Sequence, residues 1–226
     1  MARESAVNTM FDSFVSALNT RDKARCIQLV KDALDTKSIS IPELYEGVLA
    51  RSLHEIATNE KEQKIAIWEE HIQSAIVRSA LEITYPYIMN LTTKDDNRPQ
   101  PAALVFCQEE EYHELGARMA TDFLTLLGFD ALFIGANTPA EEALAAVVTI
   151  RPQLVCVSVT NFFHLTRLQS LINAMRAHIA RGDVPPFTIV AGGYAVKYTP
   201  GVSAQLTPDY FASCYHDLAK IREAMV

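Results

Sequence analysis

Cysteine is scarce in this chain: Cys26, Cys107, Cys156 and Cys214 stand far apart, with no C-x-x-C pair. A secreted disulfide scaffold needs far denser spacing, so the four read as free thiols of a reducing cytosol. No apolar run approaches the roughly 20 residues of a membrane-spanning helix, and Met1-Ala-Arg-Glu-Ser-Ala-Val7 holds no apolar signal region. Clustered Lys and Arg are missing as well. A net charge of −7 and a pI near 5.4 argue against a nucleic-acid surface and make direct contact with nucleic acid unexpected. Neither G-x-G-x-x-G nor a P-loop occurs, which removes the main support for dinucleotide and nucleoside triphosphate binding. No Ser-His-Asp or Cys-His spacing points to nucleophilic catalysis. What is present is an apolar fraction of 49% over 226 residues, enough for one large or two small cores.

In chain order, Val7, Met10, Phe11, Phe14, Val15 and Leu18 recur at helical spacing and predict a first helix over about 7–18. Ala24, Ile27, Val30, Ala33 and Leu34 predict a second, over about 22–34. Ser40-Ile-Pro-Glu43 is a capping box with Pro in the first turn, and it opens a third helix running to about Ala57. The polar run Thr58 to Lys64 reads as a loop or a solvated first turn. A fourth pattern, Ile65 to Ile83, sets Trp68, Ile72, Ala75, Ile76, Ser79, Ala80 and Ile83 on one stripe, with Trp68 in the core and His71 flanking it. Pro86 interrupts it. The expectation is a small all-α bundle over 1–92 and a polar, Pro-bearing linker over 93–101.

From residue 102 short apolar runs alternate with helical patterns. Strands are expected at 102–107, 131–134, 154–159 and 187–191, with a weaker one at 210–212. Helices are expected at 116–127, 140–150, 165–180 and 214–224. That alternation predicts an α/β fold over 102–226: a Rossmann-like, doubly wound, mostly parallel sheet covered on both faces.

The chemistry gathers where such sheets bind ligands, beyond the carboxyl ends of the strands. After the first strand, Cys107-Gln-Glu-Glu-Glu-Tyr-His-Glu-Leu-Gly116 sets Glu111 two residues before His113 and Gly116 three after it. A carboxylate so close can accept one ring N–H and leave the other nitrogen as a basic metal ligand. A Gly at the mouth of a helix lets a bulky group approach the backbone. Ser158-x-Thr160 follows the third strand and Gly192-Gly193 the fourth. Glu109 and Glu110 read as a solvated charge run, and His54, His178 and His216 have no assigned role. His164 is read as a surface or cap residue within reach of a ligand on this edge.

The set Glu111-x-His113-x-x-Gly116, Ser158-x-Thr160 and Gly192-Gly193 resembles the cobalamin (vitamin B12)-binding domain, whose usual signature is D-x-H-x-x-G, S-x-L and G-G. The resemblance covers about residues 102–226. It implies that cobalamin binds base-off, with His113 as the lower axial ligand of cobalt. The cofactor's nucleotide tail would lie in a groove beside Gly116, Ser158, Thr160, Gly192 and Gly193, the Gly pair letting it rest against the backbone. The N-terminal helices resemble the cap that precedes this domain in methionine synthase, corrinoid methyl carriers and B12-dependent light-sensing repressors. Glu69-Glu70-His71 matches the E-H pair of those repressors, which implies that Glu70 and His71 face the upper side of the corrin.

Glu111 stands where methyl carriers have Asp, and the E-x-H form is that of the light-sensing regulators. The Trp which those regulators carry ahead of the E-H pair falls at Glu60. The resemblance therefore implies a non-enzymatic, B12-dependent sensor or regulator, expected to work through a protein partner and without a DNA-binding module ahead of the cap. The alternative it implies is the corrinoid shuttle subunit of a methyltransferase system, and a third is B12 storage or delivery. A homo-oligomer fits each of them, and the upper ligand stays open.

Overall fold

The computed structural model describes residues 2–92 and 100–225. The chain divides into two compact units, residues 1–93 and 94–226. Residues 93–99 of the expected linker lie outside the described residues.

In the first unit α1 (Ala2–Asn19) buries Met10, Phe11, Phe14, Ala17 and Leu18 on one face. Asp22 caps α2 (Lys23–Asp35), its carboxylate accepting the Arg25 N–H at 2.9 Å. Ser40 opens α3 (Ile41–Leu44): its hydroxyl accepts the Glu43 N–H at 3.3 Å, and the Glu43 carboxylate accepts the Ser40 N–H at 2.7 Å. The helix then widens into a π turn, Tyr45–Leu49, and continues as α4 (Ala50–Lys61). The extra residue of that turn brings Tyr45, Val48 and Leu49 inward together, and Tyr45 hydrogen-bonds buried Thr84. Thr58 to Lys61 therefore belong to α4, where Glu and Lys are good helix formers on a wet face.

The face buried by α5 (Ile67–Glu82) is turned one position from the expected stripe: Gln73, Ile76, Val77, Ala80 and Leu81 lie inside. Ile76 and Ala80 belong to both stripes, so the pattern fits two overlapping faces, and packing selects the one holding Val77 and Leu81. Trp68, expected in the core, is 55% exposed, with the Arg21 guanidinium 5.3 Å from its ring. Pro86 starts a helix rather than ending one: it occupies the first turn of α6 (Tyr85–Leu91), where a missing N–H costs nothing.

The second unit is a five-stranded sheet in the order β2-β1-β3-β4-β5, formed by β1 (Ala102–Gln108), β2 (Asp130–Thr138), β3 (Leu154–Ser158), β4 (Thr188–Gly192) and β5 (Tyr210–Ala212). Every pairing is parallel. β1 and β3 are buried along almost their whole length, as the continuous apolar runs require. The connections carry α7 (Leu115–Leu126), α8 (Ala140–Ile150), α9 (Leu165–Arg181), the short α10 (Tyr194–Tyr198), which sequence periodicity does not reveal, and α11 (Tyr215–Ala224). One core joins Leu104, Phe106, Val155, Val157 and Ile189 to Val147 of α8 and Leu168 and Ile172 of α9. The chain runs from β1 outward to β2 and then returns past β1 to β3, so the direction of winding reverses between β1 and β3. Crevices at such a reversal are where open sheets take ligands. The register brings Cys107, Ser158, Gly192 and Ala212 into one row across β1, β3, β4 and β5, so the three motif loops leave the sheet at one level.

Candidate functional site

The loop after β1 turns sharply. Glu110 sits in left-handed backbone with φ of 64°, a conformation that costs a non-Gly residue about 1 kcal/mol or more. Its N–H donates to Asn137 Oδ1 at 2.7 Å, and the Asn137 N–H donates to the Glu111 carbonyl at 2.8 Å. Arg167 pairs with the Glu110 carboxylate at 2.5 Å. Glu109 and Glu110 are exposed, while the turn sends Glu111 inward to 1% exposure.

A buried carboxylate must be paid for by donors, and Glu111 has them on both oxygens. Oε1 accepts the His113 ring Nδ1–H at 2.5 Å and the His113 backbone N–H at 3.1 Å. Oε2 accepts the backbone N–H groups of Thr160 at 2.8 Å and Asn161 at 2.9 Å. Burial alone raises the carboxyl's pKa, but the His113 ring and the Asn161, Thr160 and His113 N–H groups outweigh it and hold the value at about 2. Glu111 is thus an anion at neutral pH, and an anion at Nδ1 favours the tautomer whose lone pair is on Nε2. The His113 ring is 69% exposed at the sheet edge. Beneath it burial pushes the Cys107 thiol up to about 12, with Glu111 adding to the shift, and its Sγ lies 3.5 Å from the His113 carbonyl. That sulfur is a buried donor and not a rival metal ligand.

Gly116 lies in the first turn of α7, and nothing stands within 4 Å of where its Cβ would be. The other pair of glycines behaves differently. A Cβ on Gly193, whose φ is 99°, would strike the Val159 backbone, and one on Gly192 would meet the Ala212 carbonyl at 2.8 Å. The pair also has a role within the fold itself: the space a Cβ would take is filled by the chain's own backbone. The loops after β3 and β4 are bound through that approach, Val159 N–H to Gly192 O at 3.0 Å and Ala195 N–H to Val159 O at 3.1 Å.

Glu111, His113 and Thr160 are therefore joined directly, with Gly116 in the same loop and helix mouth. Ser158, 7% exposed, ends β3 in the Cys107 and Gly192 row. Glu70 and His71 lie in the first unit on α5, their carboxylate and Nε2 3.4 Å apart, with the Ser74 hydroxyl donating to Glu70 at 2.6 Å. Sequence reasoning missed Asn137, Asn161 and the inward-turned ring of His164. An Asn in left-handed backbone and an Asn that caps the turn after it are common enough that only the loop geometry exposes them. The donor set fits a corrinoid cobalt: one imidazole nitrogen directed by an anion, at an edge where Gly116 leaves the backbone open. Among the described residues no group of three His, Cys, Asp or Glu could form a metal site of its own.

Two outcomes test this geometry. Since the folded pKa of Glu111 is below its ordinary 4.5, its contribution to stability is complete above that pH and is lost as pH falls toward 2. Urea midpoints measured over that range should fall more steeply for the wild type than for Glu111→Gln; parallel curves would contradict the buried anion. Gly193→Ala should destabilise the second unit by more than about 2 kcal/mol in thermal unfolding, through clash and strain together. A wild-type midpoint would show that the loop gives way freely.

Comparison with known proteins agrees with this site. One family model, described as a B12 binding domain, matches residues 101–213, and a second with the same description matches 10–85. The chain is 26% identical over 205 residues to the HTH-type transcriptional repressor CarH of Myxococcus xanthus, covering 90% of this chain and 64% of that protein. It is 27% identical over 135 residues to monomethylamine corrinoid protein 1 of Methanosarcina mazei, covering 60% and 61%. It thus spans less than two thirds of either relative. Its fold matches the monomethylamine corrinoid protein of Methanosarcina barkeri with a TM-score of 0.79 at 17% identity, over 97% of this chain and 99% of that one. The chain belongs to the B12-binding family, and cobalamin is its cofactor.

Proposed function

We propose that the protein holds cobalamin base-off, with Nε2 of His113 as the lower axial ligand, and serves as a sensor or regulator that reports the cofactor's state to a protein partner. The observation that carries the first half is the 2.5 Å contact between His113 Nδ1 and buried Glu111. Bound cobalamin would supply a cobalt centre able to take a ligand from the protein. His113 offers the nitrogen for the lower position, Glu111 orients that ring and raises its basicity, and Gly116 leaves the helix mouth clear for the tail. Ser158, Thr160 and the Gly192-Gly193 loop border the same edge. Glu70 and His71 are assigned to the upper ligand, whose exchange must alter a contact if the protein is to signal.

The regulatory half is supported by the Glu-x-His form of the motif and by similarity to the repressor CarH along 90% of the chain. A second reading, a corrinoid subunit that carries methyl groups between two other proteins, is supported by the 27% identity to a monomethylamine corrinoid protein. The partner separates them: a methyltransferase captured by the loaded protein favours the carrier, and a partner that binds only one upper-ligand state favours the sensor.

Three substitutions test the assignment. His113→Ala should abolish the base-off/His-on absorption spectrum and weaken cobalamin binding by at least roughly tenfold. Gly116→Val should keep the thermal midpoint and lose cobalamin uptake. His71→Ala should shift the spectrum of bound aquocobalamin and leave the lower-ligand signature in place. Unchanged spectra and affinity in His113→Ala would overturn the proposal.

A further inference from the structure

His164 ends the short 3-10 turn Phe162–His164 that follows β3. Unlike its neighbours Phe162 and Phe163 it points inward, with a side chain 12% exposed. Its main chain is fixed on both sides: the N–H donates to Asn161 O at 3.0 Å, and the carbonyl accepts Gln108 Nε2 at 2.7 Å. Yet Nδ1 is buried without a hydrogen-bond partner among the described residues, and it lies 3.6 Å from Oε2 of Glu111. A polar atom left so close to a buried anion has only one favourable form. A neutral imidazole has one N–H and one lone pair; the lone pair is repelled by a carboxylate and the N–H is attracted.

We infer that His164 is a positioning residue that presents Nδ1–H to Oε2, so that the one carboxylate of Glu111 bridges two imidazoles, His113 on Oε1 and His164 on Oε2. The gap of 3.6 Å closes to a hydrogen bond with a small rotation of the ring. The consequence is electronic as well as geometric. Charge that Glu111 gives to His164 is not given to His113, so His164 tempers the basicity of the Nε2 nitrogen. Its bearing on cobalt rests on the lower-ligand reading above; the bridge itself does not.

The test uses the protein labelled with nitrogen-15 histidine, without cofactor, at about pH 8, above the ordinary imidazole value of about 6.5. Nitrogen shifts should show the His164 proton on Nδ1. In His164→Leu, which removes the donor, the His113 Nδ1 resonance should move in the direction of a stronger hydrogen bond. In His164→Gln, which restores an N–H, it should return toward the wild-type value. A His164 proton on Nε2, or a His113 resonance unmoved by His164→Leu, overturns the inference. The wild-type tautomer alone decides it if the Leu variant does not fold. Loss of His113 coordination in the loaded wild type would instead sink the lower-ligand reading while the cofactor-free result stood.

Discussion

The site depends on one buried charge. The Glu111 carboxylate is folded under the loop after β1 and receives N–H groups from His113, Thr160 and Asn161. An ion sealed from water is tolerated only when donors surround it, so the same requirement fixes three things at once: the inward turn of the β1 loop, the path of the β3 loop, and the tautomer of His113. The strained backbone at Glu110 is the local cost, offset by the Asn137 side chain and by Arg167. The loop after β4 joins through Val159, whose backbone lies so near Gly193 that no side chain fits between them. The edge of the sheet is therefore one connected object, and His113 stands on it as the exposed member.

Much of this was legible in the residues. Short apolar runs marked four strands and a weaker one the fifth, though β2 runs on to Thr138, and the Glu111, His113 and Gly116 spacing identified the loop of the candidate site. Regular periods and rigid spacings are local properties, and they survive folding intact. The failures came where tertiary packing chooses between local options. Ile67–Glu82 can present two overlapping apolar faces, and the core took the one that leaves Trp68 and Ile72 outside. Pro86 can end a helix or start one. Gly192 and Gly193 are required by the chain's own backbone as well, a need that only the approach of Val159 and Ala212 reveals. Thr160 acts through its N–H as well, a group every non-Pro residue has, so residue type gave no sign of it.

The two units have unequal standing in the functional argument. In the second, a buried anion, an oriented imidazole and an open Gly116 are arranged around one sheet edge, and the match to a B12 binding domain covers that same region. In the first, Glu70 and His71 lie on an exposed face of α5 beside Ile72, and a second B12-binding match covers these helices. In the proposed reading the sheet edge holds the cofactor. In the same reading, what meets the upper ligand and which partner binds would distinguish a reporter of the cofactor's state from a carrier of its methyl group.

The central claim is that His113, oriented by Glu111, is the lower ligand of cobalt. Electron paramagnetic resonance of the protein loaded with cobalamin and reduced to Co(II), prepared with ordinary and with nitrogen-15 histidine, tests it most directly. The account predicts that each cobalt line is split into a triplet in the ordinary protein and into a doublet in the labelled one, because the coordinating nitrogen comes from the protein. A triplet in both samples would mean that the cofactor's own base stays on the metal, and would contradict it.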